Sequence, residues 1–209
     1  MTPEALTRLA SADPVMKTLI ETHGPCPLKP QSRQPYEALL RAIAHQQLHG
    51  AAAATILKRF RALFPAKRFP SPAQVETVDD LALRTAGFSG SKIAAIRDLT
   101  AKARDRRVPT RSVLARMEDE AIVDCLTEVR GIGRWTVEML LIFTLGRYDV
   151  LPVGDYGVRN GFRLAYRKRM MPTPKQLLAF GEKWRPYRTT ASWYLWRAAD
   201  ESKASKPAP

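Results

Sequence analysis

Apolar residues recur at helical spacing along most of the chain. Tyr36, Leu39 and Ile43 follow the i, i+3, i+7 pattern that indicates the buried face of an α-helix. Prolines and glycines separate such runs, and no segment shows the alternation of apolar and polar residues that a β-strand requires. The pattern therefore predicts an all-α protein of about ten helices without internal repeats.

The prolines, glycines and polar residues between the apolar runs predict where the helices begin and end. We expect helical segments at 14–22, 36–64 with a break at 45–50, 71–86, 91–104, 111–129, 155–167, 173–184 and 188–199. A further helix is expected after residue 133, with Trp135 and Met139 on its apolar face. Residues 148–152 are expected to be extended, and the polar tail 201–209 is expected to be disordered.

Two glycines interrupt the helical pattern in the segment LTEVRGIGRWTVEMLL. Gly131 and Gly133 would each cost roughly 1 kcal/mol inside a helix, so the chain is expected to turn here. A tight turn that opens onto a helix start points backbone N–H groups outward and can bind phosphate. An isolated G-x-G is more often an ordinary turn between helices than a phosphate-binding turn. Other features of the chain are therefore needed to choose between the two.

The charge of the chain favours a polyanionic partner. It has 34 Lys and Arg against 20 Asp and Glu, a net charge of +14 and a pI near 10.2. No apolar run approaches the roughly 20 residues that span a bilayer, and the start of the chain lacks the apolar core of a signal peptide. Cys26 and Cys125 provide no disulfide framework. These features predict a cytoplasmic protein that binds nucleic acid.

The segments VRGIGRWTVEMLL and LPVGDYGVR resemble the hairpin and the catalytic aspartate of the helix-hairpin-helix DNA glycosylases. Three further segments are similar to the alkylpurine (3-methyladenine type II) branch of that superfamily: YEALLRAIAHQQLHGAAAATI, LRTAGFSGSKIAAIRDLT and WRPYRTTASWYLW. They cover nearly the whole chain in the family's order. The resemblance implies two helical lobes with an active cleft between them. One lobe is continuous (36–147) and contains the hairpin, and the other combines 1–35 with 148–200.

Asp155 is the candidate catalytic residue. Positive charge builds on the sugar when the bond between C1′ and the base breaks, and a fixed carboxylate can stabilise that charge and orient the attacking water. Alkylated purines already carry positive charge, so an acid partner is not required. Asp after Gly154 is also typical of a helix N-cap, and the two roles are compatible.

Three residues are candidates for the pocket that receives the base. The resemblance places Trp135 where bifunctional relatives carry a nucleophilic lysine, and an indole cannot form a Schiff base. Its ring can instead stack on an electron-poor purine. Trp196 matches a second pocket aromatic, and Met139 lies one turn beyond Trp135. Packing in the core is the alternative for all three.

The base must leave the duplex to be reached, and the gap must be filled. Gln47 and Leu48, in the helix break HQQLHG, match the intercalating wedge of the family, although the break could be a simple polar kink. His45 and His49 have no third ligand that would suggest a metal. At the hairpin, Arg130 and Arg134 are expected to contact phosphates together with Gly131 and Gly133.

No cofactor is expected to be required. Hairpins of the superfamily often hold a monovalent cation through backbone carbonyls, which here would belong to Thr127, Val129 and Ile132 and would hold Na⁺ or K⁺. An iron–sulfur cluster needs four cysteines and the chain has two.

The sequence thus predicts a monomeric, monofunctional DNA glycosylase. It would flip 3-methyladenine and 7-methylguanine out of damaged double-stranded DNA and hydrolyse the N-glycosidic bond in base excision repair. No membrane is involved, and the protein would lie with the nucleoid in a bacterium or in the nucleus of a eukaryote. The alternatives are a glycosylase for other purine lesions, such as ethenoadenine or hypoxanthine, and a non-catalytic module that binds damaged DNA.

Overall fold

The computed structural model describes residues 2–65 and 68–204. In these ranges the backbone forms helices and turns and contains no β-strand, so the predicted all-α fold is confirmed. The α-helices are α1 Pro3–Ala12, α2 Pro14–His23, α3 Pro35–His45, α4 Gly50–Ala62, α5 Pro72–Thr77, α6 Asp80–Ala86, α7 Gly90–Arg104, α8 Arg111–Leu114, α9 Asp119–Thr127, α10 Arg134–Leu140, α11 Tyr156–Ala165, α12 Pro174–Gly181 and α13 Arg188–Ala204. A π-helical turn, Leu141–Leu145, continues α10, and a 3₁₀ turn, Glu182–Trp184, follows α12.

The chain forms two compact units, residues 31–140 and residues 1–30 with 141–209. The sequence had placed the boundaries at 35/36 and 147/148. Each unit has its own apolar core. None of the helices in the described ranges combines the length and hydropathy that crossing a bilayer requires.

Aromatic side chains fill the centre of the unit formed by residues 31–140. Phe60 on α4 is fully buried, and its ring meets those of Phe64 and Phe88 edge-on at centroid distances of 5.2 and 5.7 Å. Leu39 and Ile43 on α3 are also fully buried. Each such side chain contributes roughly 1.5–3 kcal/mol when it leaves water. This core holds α3 and α4 in place on either side of the exposed segment that joins them.

The other unit surrounds Trp184, Phe162 and Tyr194, which are almost completely buried. Its core also contains a carboxylate. Asp13 caps α2 by accepting the Val15 N–H at 3.0 Å, and its other oxygen accepts the Trp184 Nε1–H at 2.9 Å. Burying an unpaired carboxylate is very costly. Asp13 can therefore be buried in this core only because these hydrogen bonds satisfy its oxygens.

Helices α11 and α13 approach each other closely enough for their backbones to touch. A Cβ atom on Gly161 of α11 would lie 1.8 Å from the carbonyl oxygen of Leu195 on α13, so only glycine fits. Gly161 and Gly157 are four residues apart and share one face of α11. The absence of side chains on this face lets α13 pack directly against the start of α11, where Asp155 lies.

The helices differ from the predicted ones in several places. Helix α1 was missed, because only Ala5 and Leu9 on it are buried and its apolar stripe is thin. The segment 71–86 is two helices, since Val78 is extended and Asp79 starts a new helix by accepting the Ala82 N–H at 2.7 Å.

The segment 111–129 is likewise two helices, because the chain is extended at Glu118. The expectation of disorder from residue 201 is wrong for 201–204, which continue α13. Residues 205–209 lie outside the described residues.

Candidate active site

The predicted hairpin lies between α9 and α10. Helix α9 ends at Thr127 and α10 begins at Arg134. Gly131 turns the chain with φ of +76°, a conformation that L side chains disfavour. Within the described part of the chain, and apart from Gly133 and its two neighbours in sequence, no atom lies within 4 Å of the place that a Cβ on Gly133 would occupy, so the space beside its backbone is open. The first N–H groups of a helix have no intrahelical acceptor, which makes this exposed turn suitable for an anion.

Two side chains of helix α7 form hydrogen bonds to the backbone of the hairpin. The carboxylate of Asp98 accepts the backbone N–H of Arg130 at 2.7 Å, and the Lys102 ammonium donates to the carbonyl of Glu128 at 2.8 Å. Lys102 also pairs with Asp98 at 2.7 Å. Burial alone would raise the pKa of Asp98, but the Arg130 amide and the Lys102 ammonium together lower it. The ionised form of Asp98 is therefore part of the hairpin's support.

The two arginines expected at phosphates are both exposed. The guanidinium of Arg134 is paired with Glu120, at 3.0 and 2.6 Å, and this pairing raises the pKa of Arg134. An exposed pair of this kind contributes only about 0–1 kcal/mol, so a phosphate could replace the carboxylate. Arg130 is tied to the protein through its backbone, as described above.

The carbonyl groups expected to bind a cation lie at the same turn. The Val129 carbonyl accepts the N–H of Ile132 at 3.0 Å, which leaves it a second lone pair. The Thr127 hydroxyl donates to the Val123 carbonyl at 2.8 Å. Among the described residues, no cluster of three or more His, Cys, Asp or Glu side chains is placed to hold a metal.

The segment that contains the candidate wedge, residues 46–49, joins α3 to α4. Gln47 has φ of +56°, an uncommon conformation for a residue with a side chain, and Leu48 is 40% exposed. The residue before them, Gln46, is half-buried. In the structure the Nε2 of Gln46 donates to the carbonyl of Gly131 at 2.7 Å. Gln46 therefore links the segment between α3 and α4 to the hairpin, and the candidate wedge residues Gln47 and Leu48 are exposed.

Trp135 and Met139 lie one turn apart on α10. Trp135 is 51% exposed, an unusual position for the largest apolar side chain, whereas Met139 is half-buried. The π-helical turn that follows contains Phe143. Such turns shift the side-chain register of a helix and are frequent at functional sites.

Asp155 is the N-cap of α11. Its Oδ1 accepts the backbone N–H of Val158 at 2.7 Å and the indole Nε1–H of Trp196 at 2.9 Å. Asp155 and Trp196, two predicted site residues that are 41 positions apart in the sequence, are therefore in contact.

A pocket of about 340 Å³ opens beside this pair. Its lining includes Asp155, Trp196, Phe143, Trp193 and Arg197. The rings of Phe143 and Trp196 are stacked, with centroids 5.9 Å apart and planes at 22°. The pocket thus combines a carboxylate with flat apolar surfaces, which suits a planar, electron-poor ligand.

Sequence reasoning did not single out Gly157, Trp193 or Arg197 as part of this site. The spacing of Gly157 and Gly161 on one helix face was a usable signal for a close helix approach. Trp193 and Arg197 lie on α13 within one turn of Trp196, so placing Trp196 in the pocket implied them as neighbours.

The hairpin, the capped aspartate and the all-α fold define a class of protein that comparison identifies. The model of the HhH-GPD superfamily of base excision DNA repair proteins matches residues 40–186, and the chain belongs to this family.

Individual relatives narrow the assignment. DNA-3-methyladenine glycosylase 1 of Schizosaccharomyces pombe is 40% identical over 177 residues, which are 85% of this chain and 78% of the relative. The solved structure of S. pombe Mag1 in complex with abasic DNA has a TM-score of 0.84 at 36% identity and covers 99% of this chain and 100% of its own.

A DNA-3-methyladenine glycosidase from Bacillus halodurans has a TM-score of 0.87 at 36% identity, with 98% of this chain and 92% of the other covered. The predicted membership of the alkylpurine branch of the helix-hairpin-helix DNA glycosylases is confirmed.

Proposed function

We propose that this protein is a monofunctional DNA glycosylase that flips alkylated purines, such as 3-methyladenine and 7-methylguanine, out of duplex DNA and hydrolyses their N-glycosidic bond. The observation that carries the proposal is the Asp155 carboxylate, held by two N–H donors beside an aromatic pocket. The names of the relatives support the substrate class.

In the proposed reaction the bond between C1′ and the purine nitrogen breaks, and its electron pair leaves with the base. Because an alkylated purine is cationic, it departs as a neutral molecule without needing a proton. Asp155 stabilises the positive charge that remains on the sugar and accepts a proton from the attacking water. The aromatic rings bind the electron-poor base outside the stack.

The DNA would be held by three groups of residues. Gly131, Gly133 and the arginines Arg130 and Arg134 contact the phosphates near the lesion. Gln47 and Leu48 enter the gap left by the flipped nucleotide, and Trp135 and Met139 on α10 contact the flipped base. The protein acts as a monomer in the compartment that contains the chromosome.

We propose that the carbonyls of Thr127, Val129 and Ile132 would hold a monovalent cation at the hairpin, and the Val129 oxygen, which accepts the Ile132 N–H at 3.0 Å, retains a lone pair for it. Na⁺ or K⁺ there would stabilise the turn and would contribute no chemistry. Lys102, which already donates to the adjacent Glu128 carbonyl at 2.8 Å, gives the turn a permanent positive neighbour. Base excision is therefore expected without any added cofactor.

The direct test is base release from duplexes that each contain one defined lesion. We expect free 3-methyladenine and 7-methylguanine to be released, with slower or no release of ethenoadenine and hypoxanthine. A preference for the last two would move the protein to the alternative lesion range. Tight binding of every damaged duplex without release of any base would instead identify a non-catalytic binding module.

The monofunctional mechanism makes a separate prediction. Because Trp135 has no basic nitrogen, water is the nucleophile and the product is an intact abasic site. Strand breaks should appear only after alkali, and borohydride added during turnover should trap no adduct. A stoichiometric protein–DNA adduct with breaks before alkali would assign the nucleophile to a lysine instead.

A further inference from the structure

Trp196 does more than line the pocket, because its indole N–H is directed at the candidate catalytic carboxylate. The Nε1 of Trp196 lies 2.9 Å from Oδ1 of Asp155, the same oxygen that accepts the Val158 amide at 2.7 Å. The terminal torsion of an aspartate is broad, so a cap hydrogen bond by itself does not fix the orientation of the carboxylate. A second donor from another helix restricts that rotation.

The indole is itself held in place. Phe143 stacks on it with centroids 5.9 Å apart, so the plane of the ring is restrained. On α13, the residue before Trp196 is Leu195, whose carbonyl touches the backbone of α11 at Gly161. The position of the indole along α11 is thus determined by a contact between two backbones, which leaves little room for adjustment.

Gly157 lies between the two partners and has no side chain. A Cβ at this position would lie 2.9 Å from Cδ1 of Trp196, 3.1 Å from Oδ1 of Asp155 and 3.3 Å from Nε1 of Trp196. Gly157 lies in the first turn of α11 with helical backbone, so its conformation does not demand glycine. The indole of Trp196 occupies the space beside Gly157 and from there reaches the carboxylate of Asp155.

We infer that Trp196 is a positioning residue for Asp155, and that Gly157 is needed for the indole to reach it. The inference rests on the proposed function, because the orientation of the carboxylate matters only if Asp155 takes part in the reaction. The two N–H donors orient the carboxylate before DNA binds, so the transition state meets a negative charge that is already in place.

The contact can be tested without activity by following the indole N–H resonances, since the chain has four tryptophans. Trp196→Phe removes one resonance and thereby assigns it. Asp155→Ala should shift that resonance upfield and speed its hydrogen exchange, and Gly157→Ala should do the same. Gly90→Ala is the matched control, because Gly90 begins α7 and an added Cβ would meet nothing closer than 3.8 Å. An unchanged Trp196 resonance in Asp155→Ala would overturn the inference.

The kinetic test separates orientation from stacking. Trp196→Phe keeps an aromatic face but lacks the donor, so single-turnover release of 7-methylguanine should fall by about tenfold or more, because small misplacements of reacting groups cost up to about 100-fold. Affinity for the damaged duplex should change by less than about threefold. In an Asp155→Asn background, Trp196→Phe should have little further effect, because the carboxylate through which it acts is gone.

Each failure has a distinct meaning. Effects that multiply in the double variant, or an unchanged rate in Trp196→Phe, would show that Trp196 acts independently of Asp155 and would overturn the inference. A wild-type protein that releases no base from any lesion would contradict the proposed function, while the indole resonances would still decide whether Trp196 and Gly157 position the carboxylate.

Discussion

The carboxylate of Asp155 is a helix cap and the proposed reacting group at once. Its Oδ1 accepts N–H groups from Val158 and Trp196. An asparagine keeps a carbonyl oxygen in the same place but carries no negative charge. Substitution by asparagine therefore separates the structural role from the chemical one.

Asp155→Asn should bind damaged DNA as the wild type does and release base at least about 100-fold more slowly in single turnover, the lower range for a positioned acid–base group. Its thermal unfolding should be nearly unchanged. Asp155→Ala is the comparison, since it also loses the cap and should cost about 1 kcal/mol of unfolding free energy. Base release by the asparagine variant at the wild-type rate would remove Asp155 from the mechanism.

Asp155 and Trp196 could be singled out from the sequence because each lies in a segment that resembles the family. Gly157 lies in the same segment as Asp155, but the resemblance assigned it no part in the site, and Phe143 lies outside those segments. Gly157 matters because the indole of Trp196 packs against α11 at this residue. The backbone contact at Gly161 places the indole there. Such a contact depends on how α11 and α13 pack together, and the order of residue types along the chain does not specify that packing directly.

Asp13 is a second carboxylate whose ionisation matters, in this case for folding. Burial alone would raise the pKa of Asp13, but hydrogen bonds from Tyr166 and Trp184 and the charge of Lys183 lower it. A folded pKa below the unfolded one means that the ionised form stabilises the fold above the unfolded pKa of about 4. This contribution is lost as the pH falls through the folded pKa.

Asp13→Asn should therefore lower the free energy of unfolding by about 3 kcal/mol near neutral pH, as expected when one partner of a buried charged network is removed. The difference between variant and wild type should shrink as the pH falls from about 4 through the folded pKa of Asp13, where the carboxylate in the folded protein becomes protonated. Urea denaturation at pH 7 and pH 3 measures both. Asp105→Asn, an exposed carboxylate at the end of α7, should show neither effect.

The hairpin is held by side chains of two other helical segments. Helix α7 contributes Asp98 and Lys102, and the segment after α3 contributes Gln46. These hydrogen bonds attach the expected phosphate-binding turn and the expected wedge to each other. The two parts that would contact DNA thus belong to one hydrogen-bonded assembly.

Gln46→Ala should weaken that assembly without unfolding the protein. One hydrogen bond of this kind contributes about 1 kcal/mol, so affinity for a damaged duplex should fall by about fivefold. The melting temperature should change by less than about 4 °C, the shift that corresponds to that energy in a domain of this size. Equal affinity in a binding titration would show that the wedge keeps its position without Gln46.

Helices with a repeated apolar face were predictable, and the short breaks between adjacent helices were not. The faces of α3, α7 and α11 repeat over enough turns to be recognised. The divisions lie in short connections between similar helical stretches, at Val78 and Asp79 in one case and at residues 115–118 in the other. The π-helical turn after α10 changes one hydrogen-bond register and leaves no trace in the apolar pattern.

The whole molecule carries a net charge of +14, which should dominate its encounter with DNA. Each phosphate that is neutralised releases condensed counterions, so affinity should fall steeply as salt rises. A plot of log affinity against log salt should have a slope of about −3 or steeper, as expected for several phosphate contacts. Undamaged duplex should give a similar slope, because phosphates carry no information about the lesion. A flat response would contradict the electrostatic part of the proposal.

The left-handed backbone at Gln47 has a consequence for attempts to stabilise this protein. A side chain in that conformation costs roughly 1–2 kcal/mol, whereas glycine adopts it freely and loses only about 0.5–1 kcal/mol through chain entropy. Selection for heat resistance alone would therefore accept glycine at position 47 and discard the amide that the wedge is expected to use. Variants from such a screen would resist heat better while repairing DNA more poorly, so both properties must be selected together.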